Sequence, residues 1–137
     1  MRQPIPLSTG AETDETAALL RNVTGSGHIA QACEQDGAIM AYISTDYVFD
    51  GTSQRPYRPA DSIRPVSVYG KSKLAGERAV LAAISRVLIV RTAGVYAAGG
   101  ANFVTTMLRL MAAPDGLKMV ADQFGTPTDP ASLAQAI

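Results

Sequence analysis

The sequence is short of the features that would place a chain outside the ordinary globular class. It has a single cysteine, Cys33, so no internal disulfide can form, and the amphipathic stretch around it makes Cys33 a small core residue. It has no charge imbalance: 12 basic and 12 acidic residues cancel, which removes the field that would gather nucleic acid or an anionic membrane surface. No apolar run approaches the ~20 residues of a membrane span, and Met1 to Ala11 lacks the apolar stretch of a signal peptide. The one histidine, His28, has no second ligand in view, so no metal site is expected. The expected setting is cytoplasmic, with no nucleic acid and no membrane as partner. Against these absences stand 47% apolar and 18% charged residues in a chain of 137, enough for one core and too apolar for a disordered one.

Helical and strand-like stretches alternate along the chain. Glu12 to Asp36 reads as a helix with Ala17, Leu20, Val23, Ile29, Ala32 and Cys33 on an apolar stripe, weakened by Gly25 and Gly27 and stopped at Gly37. Ile39 to Ser44 is an almost continuously apolar run, the pattern of a strand buried on both faces. A loop punctuated by glycine and proline follows from Asp50 to Pro65, then a helix from Val66 to Ala83. Val87 to Val90 predicts a second buried strand, Asn102 to Met111 a third helix carrying Phe103, Met107 and Leu110 on one side, and Leu117 to Val120 a short strand. Ala131 to Ile137 opens a last helix. No repeat or linker interrupts this order, so one structural unit with a parallel sheet is expected.

Chemistry concentrates in two places. Tyr69 and Lys73 stand four residues apart on a helix and share a face. A phenol with an ordinary pKa of about 10 exchanges protons poorly at neutral pH unless a cation favours its anion, and Lys73 is placed to be that cation. Alone, the pair also fits a surface contact. Ser44, Thr45 and Asp46 end a buried strand, where open α/β sheets place their ligands. A hydroxyl there, facing a helix with Tyr and Lys, makes the trio of a carbonyl reductase: one donor polarises the carbonyl, one delivers the proton and a cation tunes it. A polar turn at Ser44 to Asp46, with Asp46 capping a backbone amide, is the plainer alternative for those three residues.

The stretch Y-I-S-T-D-Y-V-F-D-G (Tyr42 to Gly51), followed by P-V-S-V-Y-G-K-S-K-L-A-G-E (Pro65 to Glu77), resembles the extended short-chain dehydrogenase/reductases, in particular the dTDP-4-dehydrorhamnose reductase subgroup. A-N-F-V-T-T-M-L-R-L (Ala101 to Leu110) and D-Q-F-G-T-P-T (Asp122 to Thr128) are similar to the same subgroup, in the same order. The resemblance implies an α/β chain carrying part of a Rossmann-like, doubly wound parallel sheet, incomplete at both ends and running into the start of a substrate-binding region. It implies NADPH or NADH as cofactor, a dTDP-sugar as substrate, and a full-length parent compatible with a homodimer. By the same resemblance Tyr69 is the general acid at the sugar C4 oxygen. Lys73 lowers the Tyr69 pKa and, with Tyr69, contacts the nicotinamide ribose; Thr45 positions the C4 oxygen, and Asp46 lies beside the sugar.

Two departures from the subgroup qualify these expectations. No G-x-G-x-x-G or G-x-x-G-x-x-G fingerprint occurs, and Thr24-Gly25-Ser26-Gly27 follows no strand-like run, so the pyrophosphate cradle of a dinucleotide is expected upstream of Met1. Gly94 stands where the rhamnose reductases commonly carry a tryptophan, and open space beside the sugar is expected there. A non-catalytic regulatory subunit, like the reductase-like subunit associated with methionine adenosyltransferase, and a truncated, inactive chain stay open beside the enzyme.

Overall fold

The computed structural model describes residues 6–97, 102–112 and 125–137. They group into two compact units, Pro6–Thr92 and a second one formed by the described residues from Ala93 to Ile137. The expected strand from Leu117 to Val120 lies outside the described residues.

The first unit opens with helices α1 (Pro6–Thr13), α2 (Glu15–Leu19) and α3 (Ser26–Gln35), the last two joined by a π-helical segment, Leu20–Gly25. One helix was expected from Glu12 to Asp36 and none before it; α1 is an addition, and the break at Asp14 has a local cause. The Asp14 carboxylate accepts the Ala17 N–H at 2.9 Å, an N-cap that starts a new helix instead of continuing the old one. Gly25 and Gly27 do not interrupt the winding; it widens to π over Leu20–Gly25 and tightens again from Ser26. At the far end, Gly37 takes φ +64°, its N–H reaches the Glu34 carbonyl, and the Ala38 N–H reaches Cys33 at 2.8 Å. This pair of bonds is a Schellman stop, and it needs the left-handed residue that glycine supplies.

Strand β1 (Met40–Thr45) and strand β2 (Val87–Thr92) then pair in parallel, with Tyr42 opposite Ile89 and Ser44 opposite Arg91. Helix α4 (Val68–Ala83) connects them. It begins at Ser67, whose hydroxyl accepts the Gly70 N–H at 3.0 Å. Tyr42 packs with Ala30, Val80 and Ile84 in one core cluster, and Val48, Phe49 and Leu74 form a second. Burial of Val80 alone stabilises by roughly 1.5–3 kcal/mol.

Both strands were expected to be buried on both faces, and the structure corrects this. Tyr42 and Ser44 are buried beneath the helices, whereas Ala41, Ile43 and Leu88 on the opposite face are exposed. Among the described residues, helices cover one face of the pair, so the apolar run alternates in burial although not in composition.

In the second unit, α5 (Phe103–Met111) starts with a capping box between Asn102 and Thr105, and α6 (Pro130–Ala136) starts at Asp129, whose carboxylate accepts the Ser132 N–H. Residues near Gly94 and Thr128 pair side by side: the Thr128 N–H donates to the Gly94 carbonyl and the Tyr96 N–H to the Thr128 carbonyl, each at 3.1 Å.

Candidate active site

β1 delivers Thr45 to its C-terminal end, where the chain turns through a short 3₁₀ segment, Asp46–Val48. The Thr45 hydroxyl makes that turn. It accepts the Tyr47 N–H at 3.2 Å and donates to Asp46 Oδ1 at 3.1 Å. Tyr69, in the first turn of α4, lies beside the same Thr45 side chain, and its ring meets Tyr47 edge-on at 5.8 Å. The structure thus brings Thr45, Asp46 and Tyr69 together.

Burial raises the Tyr69 phenol above its ordinary value; hydrogen bonding with Thr45 pulls it down, and the negative charge of Asp46 pushes it up again. Burial also raises the Asp46 carboxyl, against hydrogen bonds from Thr45 and from the backbone. Tyr69 is therefore protonated at neutral pH, in the state of a proton donor.

Lys73 has different partners from those the sequence suggested. Its ammonium donates to the Ile43 carbonyl at 2.8 Å and lies 4.4 Å from the centre of the Tyr42 ring. The strand ladder explains the choice. The Met40 N–H bonds the Arg86 carbonyl across the pair, so by alternation Tyr42 and Ser44 face β2 and Ile43 faces away. Among the described residues no strand pairs with the edge that carries the Ile43 carbonyl, and Lys73 satisfies it.

Sequence reasoning missed the charged group in the middle of this unit. Glu77 is 2% exposed, one helical turn beyond Lys73, and both of its oxygens are engaged. Oε1 accepts the Ser44 hydroxyl at 2.5 Å and Arg91 Nε at 3.0 Å, while Oε2 accepts Arg91 Nη2 at 2.6 Å. The outer face of the guanidinium lies against Phe49, which stacks on Tyr57 at 4.3 Å. Glu77 holds the Arg91 guanidinium even more firmly protonated than usual. Removing one partner of such a buried pair typically costs about 3–5 kcal/mol, because the other charge is left uncompensated. The signals were present: Tyr69, Lys73 and Glu77 repeat every fourth residue, and Arg91 is a lone charge ending an apolar strand. Asn22, in the π segment, was missed as well; its amide donates to Ser72 Oγ, which donates to the Tyr69 carbonyl.

The structure also corrects the expectation at Gly94. Its φ of +52° lies in the left-handed region, and a Cβ there would come within 2.9 Å of the Thr126 carbonyl oxygen. A backbone turn, not open space, occupies that position.

The residues fit the reacting end of a nicotinamide dinucleotide, with a protonated phenol and a hydroxyl at a parallel strand's C-terminal end. Among the described residues no glycine turn joins a strand directly to a helix N-terminus, so they supply no pyrophosphate cradle. Nor does any group of three described His, Cys, Asp or Glu residues lie where it could hold a metal ion, and no described helix is long and apolar enough to cross a membrane.

Polar groups collected at the carboxyl end of parallel strands, beneath a crossover helix, put this chain in the Rossmann-like α/β class. A family model described as the RmlD substrate binding domain matches residues 8–137, and the chain belongs to that family. It is 49% identical over 133 residues to the dTDP-4-dehydrorhamnose reductase of Mycobacterium tuberculosis, covering 93% of this chain and 44% of that protein. The enzyme of the same name from Salmonella typhimurium is 44% identical, with coverage of 90% and 42%. The crystal structure of dTDP-4-dehydrorhamnose reductase from Bacillus anthracis in complex with NADP superimposes with a TM-score of 0.87 at 40% identity, covering 92% of this chain and 45% of that one. The chain spans less than half the length of these relatives.

Proposed function

We propose that this chain carries the proton-donating half of an NAD(P)H-dependent reductase that converts a 4-keto nucleotide sugar, dTDP-4-dehydro-L-rhamnose, to dTDP-L-rhamnose. The observation that carries this reading is the half-buried, protonated Tyr69 set beside Thr45 at the end of β1. The names of the relatives, and the NADP in one related structure, support the substrate and the cofactor.

When bound, the nicotinamide supplies hydride. The chain's own groups do the rest. Thr45 holds the sugar's C4 oxygen beside the Tyr69 hydroxyl, and Tyr69 gives that oxygen its proton as negative charge develops. Asp46 borders the sugar. Lys73 and Tyr69 hold the nicotinamide ribose, which requires the Lys73 ammonium to exchange the Ile43 carbonyl for a ribose hydroxyl. In this assignment the described residues are the central part of the reductase domain and the start of the substrate-binding region.

The test is turnover of NADPH with dTDP-4-dehydro-L-rhamnose, followed by absorbance, in the chain and in a full-length protein containing it. Replacing Tyr69 with Phe keeps the ring and removes the proton, so turnover should fall by about 10²–10⁴. Reduction at an undiminished rate by Tyr69→Phe would remove Tyr69 from the mechanism.

A further inference from the structure

The Ser44, Glu77 and Arg91 network touches neither the strand-end hydroxyl nor the phenol, yet it fastens every element that carries them. Ser44 is the residue before Thr45 on β1. Glu77 lies two turns along α4 from Tyr69 and one turn from Lys73. Arg91 is the register partner of Ser44 on β2. In a parallel pair, register partners project from the same face, so Ser44 and Arg91 both reach the one carboxylate on the helix above them. Ser44 is 4% exposed and Glu77 2%.

The carboxylate has no freedom to take other partners. One oxygen takes the Ser44 hydroxyl and Arg91 Nε, and the other takes Arg91 Nη2, in a planar two-bond fit that fixes both distance and angle. The Phe49 ring against the guanidinium, with Tyr57 stacked beyond it, ties in the loop that follows the Asp46 turn. Elsewhere the gap between β1 and α4 is filled by apolar contacts, which resist separation but not sliding, and by the Lys73 ammonium on the Ile43 carbonyl, whose flexible four-carbon stem can follow a shift of the helix. A short hydroxyl and a forked guanidinium on one buried carboxylate fix the position of α4 along the strand, and that position decides how near Tyr69 comes to Thr45.

We propose that Ser44, Glu77 and Arg91 act as positioning residues that set the spacing between the Thr45 and Tyr69 hydroxyls. The role of that spacing in turnover rests on the reductase reading; the spacing itself does not. Two readouts separate the two claims.

The first uses the chain with its tyrosines isotopically labelled at Cζ, the Tyr69 signal being assigned by its loss in Tyr69→Phe. In Ser44→Ala and Glu77→Gln variants that remain folded by circular dichroism, the Tyr69 signal should move. Its titration midpoint should rise, because a looser gap withdraws the Thr45 hydrogen bond that lowers it. Ser85→Ala is the control. It removes a hydroxyl bound to the Glu34 carboxylate beyond the other end of α4 and should leave Tyr69 unmoved. Should Glu77→Gln fail to fold, Ser44→Ala decides, since it leaves the ion pair in place. An unmoved Tyr69 signal in a folded Ser44→Ala chain overturns the proposal.

The second readout is steady-state reduction in the active protein. Ser44→Ala should lower kcat on the order of tenfold with little change in KM, the pattern of a misplaced reacting group and not of lost binding. A raised KM at unchanged kcat also counts against the proposal. If Tyr69 moves in the spectra while Tyr69→Phe leaves turnover intact, the positioning stands and the reductase reading falls.

Discussion

Tyr69 lies between two groups that move its proton in opposite directions. Thr45 stabilises the phenolate by hydrogen bonding, and the Asp46 carboxylate destabilises it by charge. Two substitutions should therefore shift Tyr69 with opposite sign. Thr45→Val keeps the shape, removes the hydroxyl and raises the Tyr69 pKa further; Asp46→Asn removes the charge and lowers it. Tyrosine absorbance against pH, with Tyr69→Phe subtracted, checks both, and equal signs would contradict this account. The grouping of Thr45, Asp46 and Tyr69 was legible in the sequence because helix spacing and strand-end position need no coordinates. The partner of Lys73 was not. It depends on which Ile43 backbone groups point away from β2, and so on a register that no single segment encodes. Gly94 was misread for a related reason: a missing side chain looks like space until φ +52° and the Thr126 carbonyl show a backbone turn.

At the scale of elements, α4 lies close to its neighbours because two of its residues have no side chain. A Cβ on Gly70 would meet the Tyr47 carbonyl, and one on Gly76 would meet the Asn22 carbonyl and the Tyr42 hydroxyl. Gly76→Ala should cost about 1–3 kcal/mol in urea unfolding, the usual effect of overpacking. Gly10, inside α1 with nothing near the position of a Cβ, should respond in the other direction: Gly10→Ala should stabilise by ~0.5–1 kcal/mol through helix propensity. If both substitutions act alike, helix propensity and not close approach governs α4. From β1 onward, the described helices and strands and their order were legible from periodicity, with ends displaced by one or two residues where caps such as Ser67 and Asn102 decide the boundary; α1 was not. The split at Asp14 and the π turn were not. Both arise from competition between side-chain and backbone hydrogen bonds, to which apolar periodicity is blind.

At the scale of the molecule, the face of the strand pair that no described residue covers is the feature that composition misrepresented. Ile39 to Ser44 has the makeup of a strand enclosed on both sides, yet Ile43 is 41% and Leu88 47% exposed. A sequence records what a strand would suit, whereas burial depends on what is packed against it. The pairing also governs how the backbone trades its protons with solvent. A strand with one neighbour can turn only every second amide toward it, and the Met40 N–H bonded to Arg86 fixes which ones. In deuterated water the amides of Met40, Tyr42 and Ser44 should hold their hydrogens longest, and those of Ala41 and Ile43, one residue away, should lose them early. Uniform retention along β1 would mean that its free edge has found a second strand in solution. Protection alternating along six residues would instead identify β1 as an outer strand whose open edge runs beside the candidate site.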